Sequence, residues 1–260
     1  MSVIHIMITD EPKNWKDLQK KVDFIFNCIG LDSEKEKAVE TPRGTTQLDV
    51  FAIDPKSIDQ IKYVVECKNW NTKVSQTIIH AFTTVMHETG SNIGYIISKK
   101  GFQKGAIKYT KSTNIKLFTY DEFQNHYFDT WYKRYFAPEI YNANNYLIQF
   151  TEPINSRRFH CEENLDESGK MKLESLIEKY SLFSTFTLII SNPRGIYISI
   201  FSESKSPILS LKDIQSALFK SFKILYNISN YVDALEKIKS IIKIATEEFI
   251  AVFETNIFID

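Results

Sequence analysis

Three residues, Asp49, Glu66 and Lys68, have the side-chain types and the spacing to hold a divalent cation beside a basic group. Asp49 lies in a strand-like segment, residues 45–53, and Glu66 and Lys68 end the next one, residues 61–68. Side chains alternate along a strand, so Glu66 and Lys68 share one face roughly 7 Å apart. In an antiparallel pair, opposed Cβ atoms lie roughly 5 Å apart, which brings Asp49 and Glu66 to one cation. Such an arrangement cleaves phosphodiester bonds.

The acid-x-Lys tripeptide is not selective by itself, because it recurs at Glu11-Pro12-Lys13, Asp54-Pro55-Lys56 and Glu203-Ser204-Lys205. Two of these matches have a central proline, which cannot donate to a sheet ladder and is typical of turns and edges. The third is in a stretch rich in Ser and Lys. Only Glu66-Cys67-Lys68 follows a β-type run, and it is therefore the candidate site.

The two carboxylates predict the type of metal. Asp49 and Glu66 would repel one another and shift each other's pKa, and a bound cation resolves this repulsion. Oxygen ligands without a nearby Cys/His set favour Mg²⁺ or Mn²⁺ over zinc. Lys68 would orient the nucleophile or offset charge on the phosphate. The alternative is an ordinary Glu66–Lys68 surface pair on a half-exposed sheet.

The surrounding sequence resembles the catalytic domain of Mrr-type restriction endonucleases, which belong to the PD-(D/E)xK nuclease superfamily. The resemblance covers about residues 14–123. It extends from Asp49 through Val65-Glu66-Cys67-Lys68-Asn69-Trp70 to residues 93–98, 101–106 and 115–118. It preserves both the order and the spacing of these segments.

The resemblance implies roles for individual residues. Asp49, Glu66 and Lys68 would be catalytic, and the Cys67 backbone carbonyl would be a further metal ligand. The superfamily's Pro before the Asp is Leu48 here. Gln19 stands where many relatives have a Glu on the first helix, and its amide could hold a water on the metal.

Gln76 lies early in the helix predicted after the Glu66 strand. It could contact a metal-bound water or a phosphate, or be an exposed first-turn residue.

Length and composition agree with an intracellular globular enzyme. The 260 residues include 43% hydrophobic and 25% charged residues, and this length suits two domains. Three widely spaced cysteines argue against a disulfide framework or a zinc knuckle. We expect a cytoplasmic location and no membrane contact, since the sequence shows neither a signal-like start nor a membrane-length apolar run.

A lysine-rich segment is the candidate DNA-binding surface. The formal net charge is +0, so affinity for a polyanion must come from local clustering. Residues 99–116 contain no acid and six lysines: Lys99, Lys100, Lys104, Lys108, Lys111 and Lys116. Phe102, Ala106 and Tyr109 recur at helical spacing, which predicts a lysine face opposite them. Lys100, Lys104, Lys108 and Lys111 are thus candidate nucleic-acid contacts, with a solvated helix face as the alternative. Trp70 could stack on a base or pack its loop.

The predicted elements place these residues in an α/β (α+β) nuclease domain, residues 1–135, with a mixed sheet flanked by helices. A helix capped by Asn14 should end at Gly30. Strands follow at residues 45–53, 61–68, 93–97 and 115–118. Helices are predicted at residues 75–88, 104–111 and 120–135.

Beyond this domain we predict a linker at residues 136–145 and a smaller α+β domain at residues 146–260, with a role in recognition, regulation or oligomerisation. Strands are predicted at residues 146–150, 183–191, 195–202 and 249–259. Helices are predicted around residues 173–180, 211–226 and 232–246.

The sequence therefore predicts a metal-dependent endodeoxyribonuclease, and the family resemblance implies prokaryotic restriction or antiviral defence. DNA is the expected partner, together with a sister protomer or partner subunit bound through the C-terminal domain. Two alternatives remain open. One is an inactive nucleic-acid-binding or assembly protein that retains the fold, and the other is a structure-selective nuclease or RNase.

Overall fold

The computed structural model describes residues 7–8, 11–192 and 208–259. The chain divides into two compact units, Met1–Arg134 and Tyr135–Asp260. The first unit contains the predicted catalytic residues. Its helices are α1 (Trp15–Cys28), α2 (Gln76–Glu88), α3 (Lys104–Thr110) and α4 (Tyr120–Trp131), and its strands are β1 (Asp32–Thr41), β2 (Gly44–Ile53), β3 (Lys62–Lys68), β4 (Ile93–Ser98) and β5 (Ile115–Phe118).

The five strands form one mixed sheet in the order β1-β2-β3-β4-β5. The first three strands pair antiparallel, and β3, β4 and β5 pair parallel. A parallel connection needs a crossover, which α2 and α3 provide. The predicted mixed sheet flanked by helices is thus confirmed.

Helices pack on the sheet through two sets of side chains. On α1 and α4, Phe26 and Phe123 contact Tyr95 of β4. Val64 and Ile96 belong instead to a buried cluster with Phe82 of α2 and residues of α3. Because neighbouring strand residues such as Tyr95 and Ile96 point to opposite faces, the helices cover the sheet on both sides.

The first helix confirms its predicted caps. The Asn14 side chain accepts a hydrogen bond from the Asp17 amide, and the helix ends at Cys28 before Gly30, whose φ is +85°. A residue without Cβ adopts this left-handed conformation without strain. Sequence analysis missed β1, a charge-rich strand at the sheet edge, where charged side chains discourage pairing with other chains.

The second unit is helical at several places where strands were predicted. A π-helix, Tyr132–Phe136, precedes α5 (Ala137–Thr151), and α6 (Ser156–Glu162), α7 (Glu167–Ser191), α8 (Leu211–Phe222) and α9 (Tyr231–Phe253) follow. The predicted strands at residues 146–150 and 183–191 were wrong, because these segments lie in α5 and α7. The strand at 249–259 was also wrong, since α9 extends to Phe253.

The linker prediction at residues 136–145 also needs correction, because helix α5 begins at Ala137 and covers this segment. Pro138 lies just after the π-helix Tyr132–Phe136, and this local change of the helical hydrogen-bond pattern lies where a proline has no N–H to donate. The predicted strand at residues 195–202 lies outside the described residues. Among those described, no helix is both long and apolar enough to cross a bilayer.

Candidate active site

The end of β3 presents the side chains of Glu66 and Lys68 on one side and buries the alternating residues on the other. Val65 and Cys67 are buried, whereas the side chains of Glu66 and Lys68 remain 29% and 19% exposed. This alternation is the one expected of a strand. The Lys68 ammonium forms an ion pair with the Glu66 carboxylate. The predicted pair is therefore present at the edge of the core, in partial contact with solvent.

Strand β2 brings Asp49 to the same place. The β2–β3 ladder ends at the pair of Val50 and Val65, so Asp49 lies directly beyond its last pair, beside the start of the Glu66-Cys67-Lys68 segment. Asp49 Oδ2 accepts a hydrogen bond from the Cys67 backbone amide at 2.7 Å. This bond ties the Asp49 side chain to the strand that holds Glu66 and Lys68. The sequence predicted that Asp49 lies close to Glu66, but it did not predict the hydrogen bond to the Cys67 amide.

The other Asp49 oxygen is held by the first helix. Gln19 of α1 is 1% exposed, and its Nε2 donates to Asp49 Oδ1 at 2.8 Å. An ionised carboxylate only accepts, so the Gln19 amide must turn its NH₂ group toward Asp49. Both oxygens of Asp49 are thus oriented by hydrogen bonds. Gln19 contacts the site through this carboxylate.

The electrostatics of the site disfavour the charged form of Glu66. Burial, together with the charge of Asp49, raises the pKa of Glu66, while the Lys68 ammonium opposes this rise. Burial also raises the pKa of the Cys67 thiol well above its usual value. The Cys67 side chain is buried and points to the side of β3 opposite Glu66 and Lys68, so its sulfur does not face the two carboxylates. The oxygen atoms are the better donors.

Lys68 has a second neighbour besides Glu66. Its Nζ lies 4.8 Å from the centroid of the Trp70 ring, within the distance of a cation–π contact. Sequence analysis assigned Trp70 to base stacking or loop packing and missed this contact. The spacing of two residues would place both side chains on one side only if the chain stayed extended beyond Lys68, where β3 ends.

The turns after β3 and β4 are hydrogen-bonded to each other. Lys68 and Ser98 are paired in the parallel ladder, and the Lys99 amide donates to the Lys68 carbonyl at 3.2 Å. Farther along, the Val74 amide donates to the Gly101 carbonyl at 3.0 Å. The lysine-rich segment therefore begins directly beside the strand end that holds Lys68.

The predicted lysine face is exposed. Helix α3 buries Ala106, and Tyr109 of α3 and Phe102 just before it pack against the core, as predicted. All six lysines of residues 99–116 are exposed, and none has an acidic partner within the described parts of the chain. Lys100, Lys104, Lys108 and Lys111 thus carry unneutralised positive charge in the segment that begins beside Lys68. Their contact with nucleic acid stays a prediction.

Gln76 lies at the start of α2 and is exposed. Its Nε2 is 3.2 Å from His80 Nε2, and its side chain packs against Gly105 of α3, where a Cβ would come within 2.6 Å of Gln76 Oε1. Gln76 thus fixes α2 against α3. A role at the catalytic cation stays a prediction.

Side chains alone do not complete a metal site here. Across residues 7–8, 11–192 and 208–259, no group of three or more His, Cys, Asp or Glu side chains is arranged to bind a metal ion. Asp49 and Glu66 supply two carboxylates, so further oxygen ligands must come from the backbone, water or a phosphate. Mg²⁺ accepts such a mixed set, since it usually keeps several waters.

Comparison with known proteins shows what part of the chain is similar to. Residues 13–127 match the family model of the Mrr catalytic domain, described as a restriction endonuclease. The match spans Asp49, Glu66, Lys68 and the lysine-rich segment and leaves the second unit uncovered. A search of curated proteins found no match. The crystal structure of a protein of unknown function, AF1548, aligns with a TM-score of 0.38 and 13% identity over 88% of this chain and 99% of that one.

Proposed function

We propose that residues 1–135 form a metal-dependent endonuclease domain that hydrolyses DNA phosphodiester bonds through Asp49, Glu66 and Lys68. The observation that supports it most is the joining of these three residues at one strand end. Asp49 is bonded to the Cys67 amide at 2.7 Å, and Cys67 lies between the ion-paired Glu66 and Lys68. The restriction endonuclease match covers all three residues.

The donor set fits a hard divalent cation. Asp49, Glu66 and the Cys67 carbonyl would hold Mg²⁺ or Mn²⁺. The raised pKa of Glu66 supports this assignment, because burial and the neighbouring Asp49 charge disfavour its ionised form. A cation there would relieve this repulsion. The Cys67 side chain is buried and points away from Glu66 and Lys68, so the site offers no thiolate of the kind that zinc favours within the described residues.

Each residue then has a distinct task. Gln19 and the Cys67 amide orient the two oxygens of Asp49, which leaves further lone pairs on each oxygen free for a ligand. When bound, a divalent cation polarises the scissile phosphate and acidifies the attacking water. Lys68 offsets the charge that develops on the phosphate or orients the nucleophile.

DNA is the proposed substrate because unneutralised lysines flank the site. The segment of residues 99–116 starts beside β3, where the Lys99 amide donates a hydrogen bond to the Lys68 carbonyl. This segment exposes six lysines. Such a charged surface binds the phosphate backbone irrespective of sequence. Cleavage of both strands needs two active sites, which a symmetric dimer supplies most simply. Residues 146–260 would provide the dimer or partner contact, in a cytoplasmic restriction or antiviral defence system.

A second candidate is an inactive nucleic-acid-binding protein that retains the nuclease fold. It is favoured by Gln19, a neutral amide bonded to Asp49 where an acid would add a metal ligand. The exposed lysines suit this function equally well. It predicts DNA binding without turnover.

The test is cleavage of supercoiled plasmid, branched DNA and RNA with Mg²⁺ or Mn²⁺, with and without EDTA. Wild type should nick or linearise DNA only with metal, and Asp49→Ala and Lys68→Ala should abolish cleavage. Lys56→Ala is the matched control, since it alters another acid-x-Lys tripeptide and should cleave like wild type. Equal behaviour of wild type and Asp49→Ala, with equal DNA binding, would leave the binding protein as the better account. Preferred cleavage of branched DNA or RNA would reassign the substrate.

A further inference from the structure

The Lys68 ammonium is restrained by two contacts of different chemistry. One is the ion pair with Glu66, and the other is the face of the Trp70 ring, 4.8 Å from Nζ. Trp70 is 43% exposed and lies in the turn directly after β3. The backbone of this turn is held at Lys68, whose carbonyl accepts from the Lys99 amide. The contact between Lys68 and Trp70 therefore lies at a strand end whose backbone is fixed by a hydrogen bond.

The two contacts respond differently to a bound cation. A carboxylate that turns its oxygens toward a divalent cation interacts less strongly with a neighbouring ammonium, so metal binding weakens the Glu66–Lys68 pair. Lysine has a long flexible stem and loses much rotamer entropy when it is held in one place. An aromatic face attracts an ammonium without competing for the metal. The Trp70 contact thus persists where the Glu66 contact does not.

We propose that Trp70 is a positioning residue that keeps the Lys68 ammonium at the active site when Glu66 binds the cation. The inference rests on the proposed function, since it assigns Trp70 a task in the same reaction. It differs from base stacking in a measurable way. A positioning residue affects the chemical step through Lys68, whereas a stacking residue affects DNA affinity.

The kinetic test compares Trp70→Phe and Trp70→Leu under single-turnover conditions at saturating DNA, with DNA affinity measured separately in Ca²⁺. Trp70→Leu should slow cleavage about tenfold, and Trp70→Phe should stay within about threefold of wild type, because phenylalanine keeps an aromatic face. DNA affinity should change less than about twofold in both variants. Trp15→Leu is the matched control, since Lys16 Nζ lies 5.3 Å from the centroid of that exposed ring. It should cleave like wild type.

A spectroscopic test measures the contact itself. In protein labelled with ¹³C at the lysine ε-carbons, the Lys68 methylene signal should be shifted upfield by the Trp70 ring current, and it is assigned by its loss in Lys68→Arg. The shift should persist with Mg²⁺ and disappear in Trp70→Leu. An unshifted signal, or a Trp70→Leu variant with normal cleavage at saturation and weakened DNA binding, would overturn the proposal. Absence of cleavage by wild type would instead refute the nuclease function on which the proposal rests.

Discussion

The Gln19 amide donates to Asp49 at 2.8 Å and thereby connects the first helix to the active site. Gln19 is almost fully buried, so this bond is shielded from competing water. The geometry makes Gln19 an orienting group for a carboxylate rather than a charged ligand. Its removal should therefore affect metal binding and cleavage through Asp49.

Gln19→Ala should reduce Mg²⁺ affinity and slow plasmid cleavage, because Asp49 loses the bond that fixes its Oδ1. It should also lower the free energy of unfolding by about 1–3 kcal/mol, the usual cost of removing one partner of a buried hydrogen bond. The matched control is Gln124→Ala, which removes another buried amide that accepts from the Ile8 backbone at 2.9 Å. It should be destabilised with unchanged cleavage per folded molecule. Equal activity losses in both variants would show that Gln19 acts only through stability.

Gln19→Glu should make stability depend more strongly on metal. A third acid beside Asp49 and Glu66 adds repulsion in the metal-free protein and a possible ligand in its metal-bound form. The melting temperature should therefore fall in EDTA and rise with Mg²⁺ by more than in wild type. Thermal unfolding of both proteins with and without Mg²⁺ measures this difference. An equal Mg²⁺ response would mean that residue 19 lies outside the reach of the cation.

The exposed lysines of α3 should set the salt dependence of DNA binding. If Lys104 and Lys108 each contact a phosphate, the Lys104→Ala/Lys108→Ala double variant should reduce the slope of log affinity against log salt by about 2, since each contact contributes roughly 0.9. The loss should be similar for unrelated DNA sequences. The control double variant, Lys35→Ala/Lys56→Ala, removes two other exposed lysines of the first unit. Equal slopes for the two double variants would place the DNA elsewhere.

Asp17 should make the stability of α1 depend on pH. Its carboxylate accepts from the Lys13 amide at 2.9 Å and pairs with Lys21, and these interactions lower the pKa of Asp17 below 3.8. The stabilisation is therefore present at neutral pH and is lost as pH falls through the lowered pKa. Asp17→Asn should cost about 1 kcal/mol at pH 7, and the difference from wild type should shrink as pH falls below the ordinary pKa of an Asp side chain. Urea unfolding across this range measures it, and a constant difference would contradict the assignment.

The sequence predicted most elements of the first unit, except β1, and predicted the second unit poorly, for physical reasons. Around Asp49 and Glu66, strand propensity, alternation and turn residues agree, so local signals suffice. In residues 183–191, apolar and β-branched side chains favour a strand, but the segment ends the 25-residue helix α7. Phe183 and Phe186 are both fully buried there, so tertiary packing overrides local propensity.

At the site, residue types could be predicted and individual contacts could not. The Asp49 bond to the Cys67 amide depends on where the β2–β3 ladder ends, which is a property of the assembled sheet. The Gln19 bond depends on how α1 packs on the sheet. The Lys68–Trp70 contact depends on the turn after β3. None of these follows from residue spacing alone.

The claim that Asp49 and Glu66 share a divalent cation is tested most directly by titrating metal-free protein with Mn²⁺ and following the free ion by electron paramagnetic resonance. Wild type should bind Mn²⁺, and Asp49→Asn should weaken binding by at least about tenfold, because the site loses an anionic ligand. Asp54→Asn, which alters the acid of another acid-x-Lys tripeptide, should bind like wild type. Equal Mn²⁺ binding by Asp49→Asn and wild type would contradict the metal centre and the nuclease mechanism built on it.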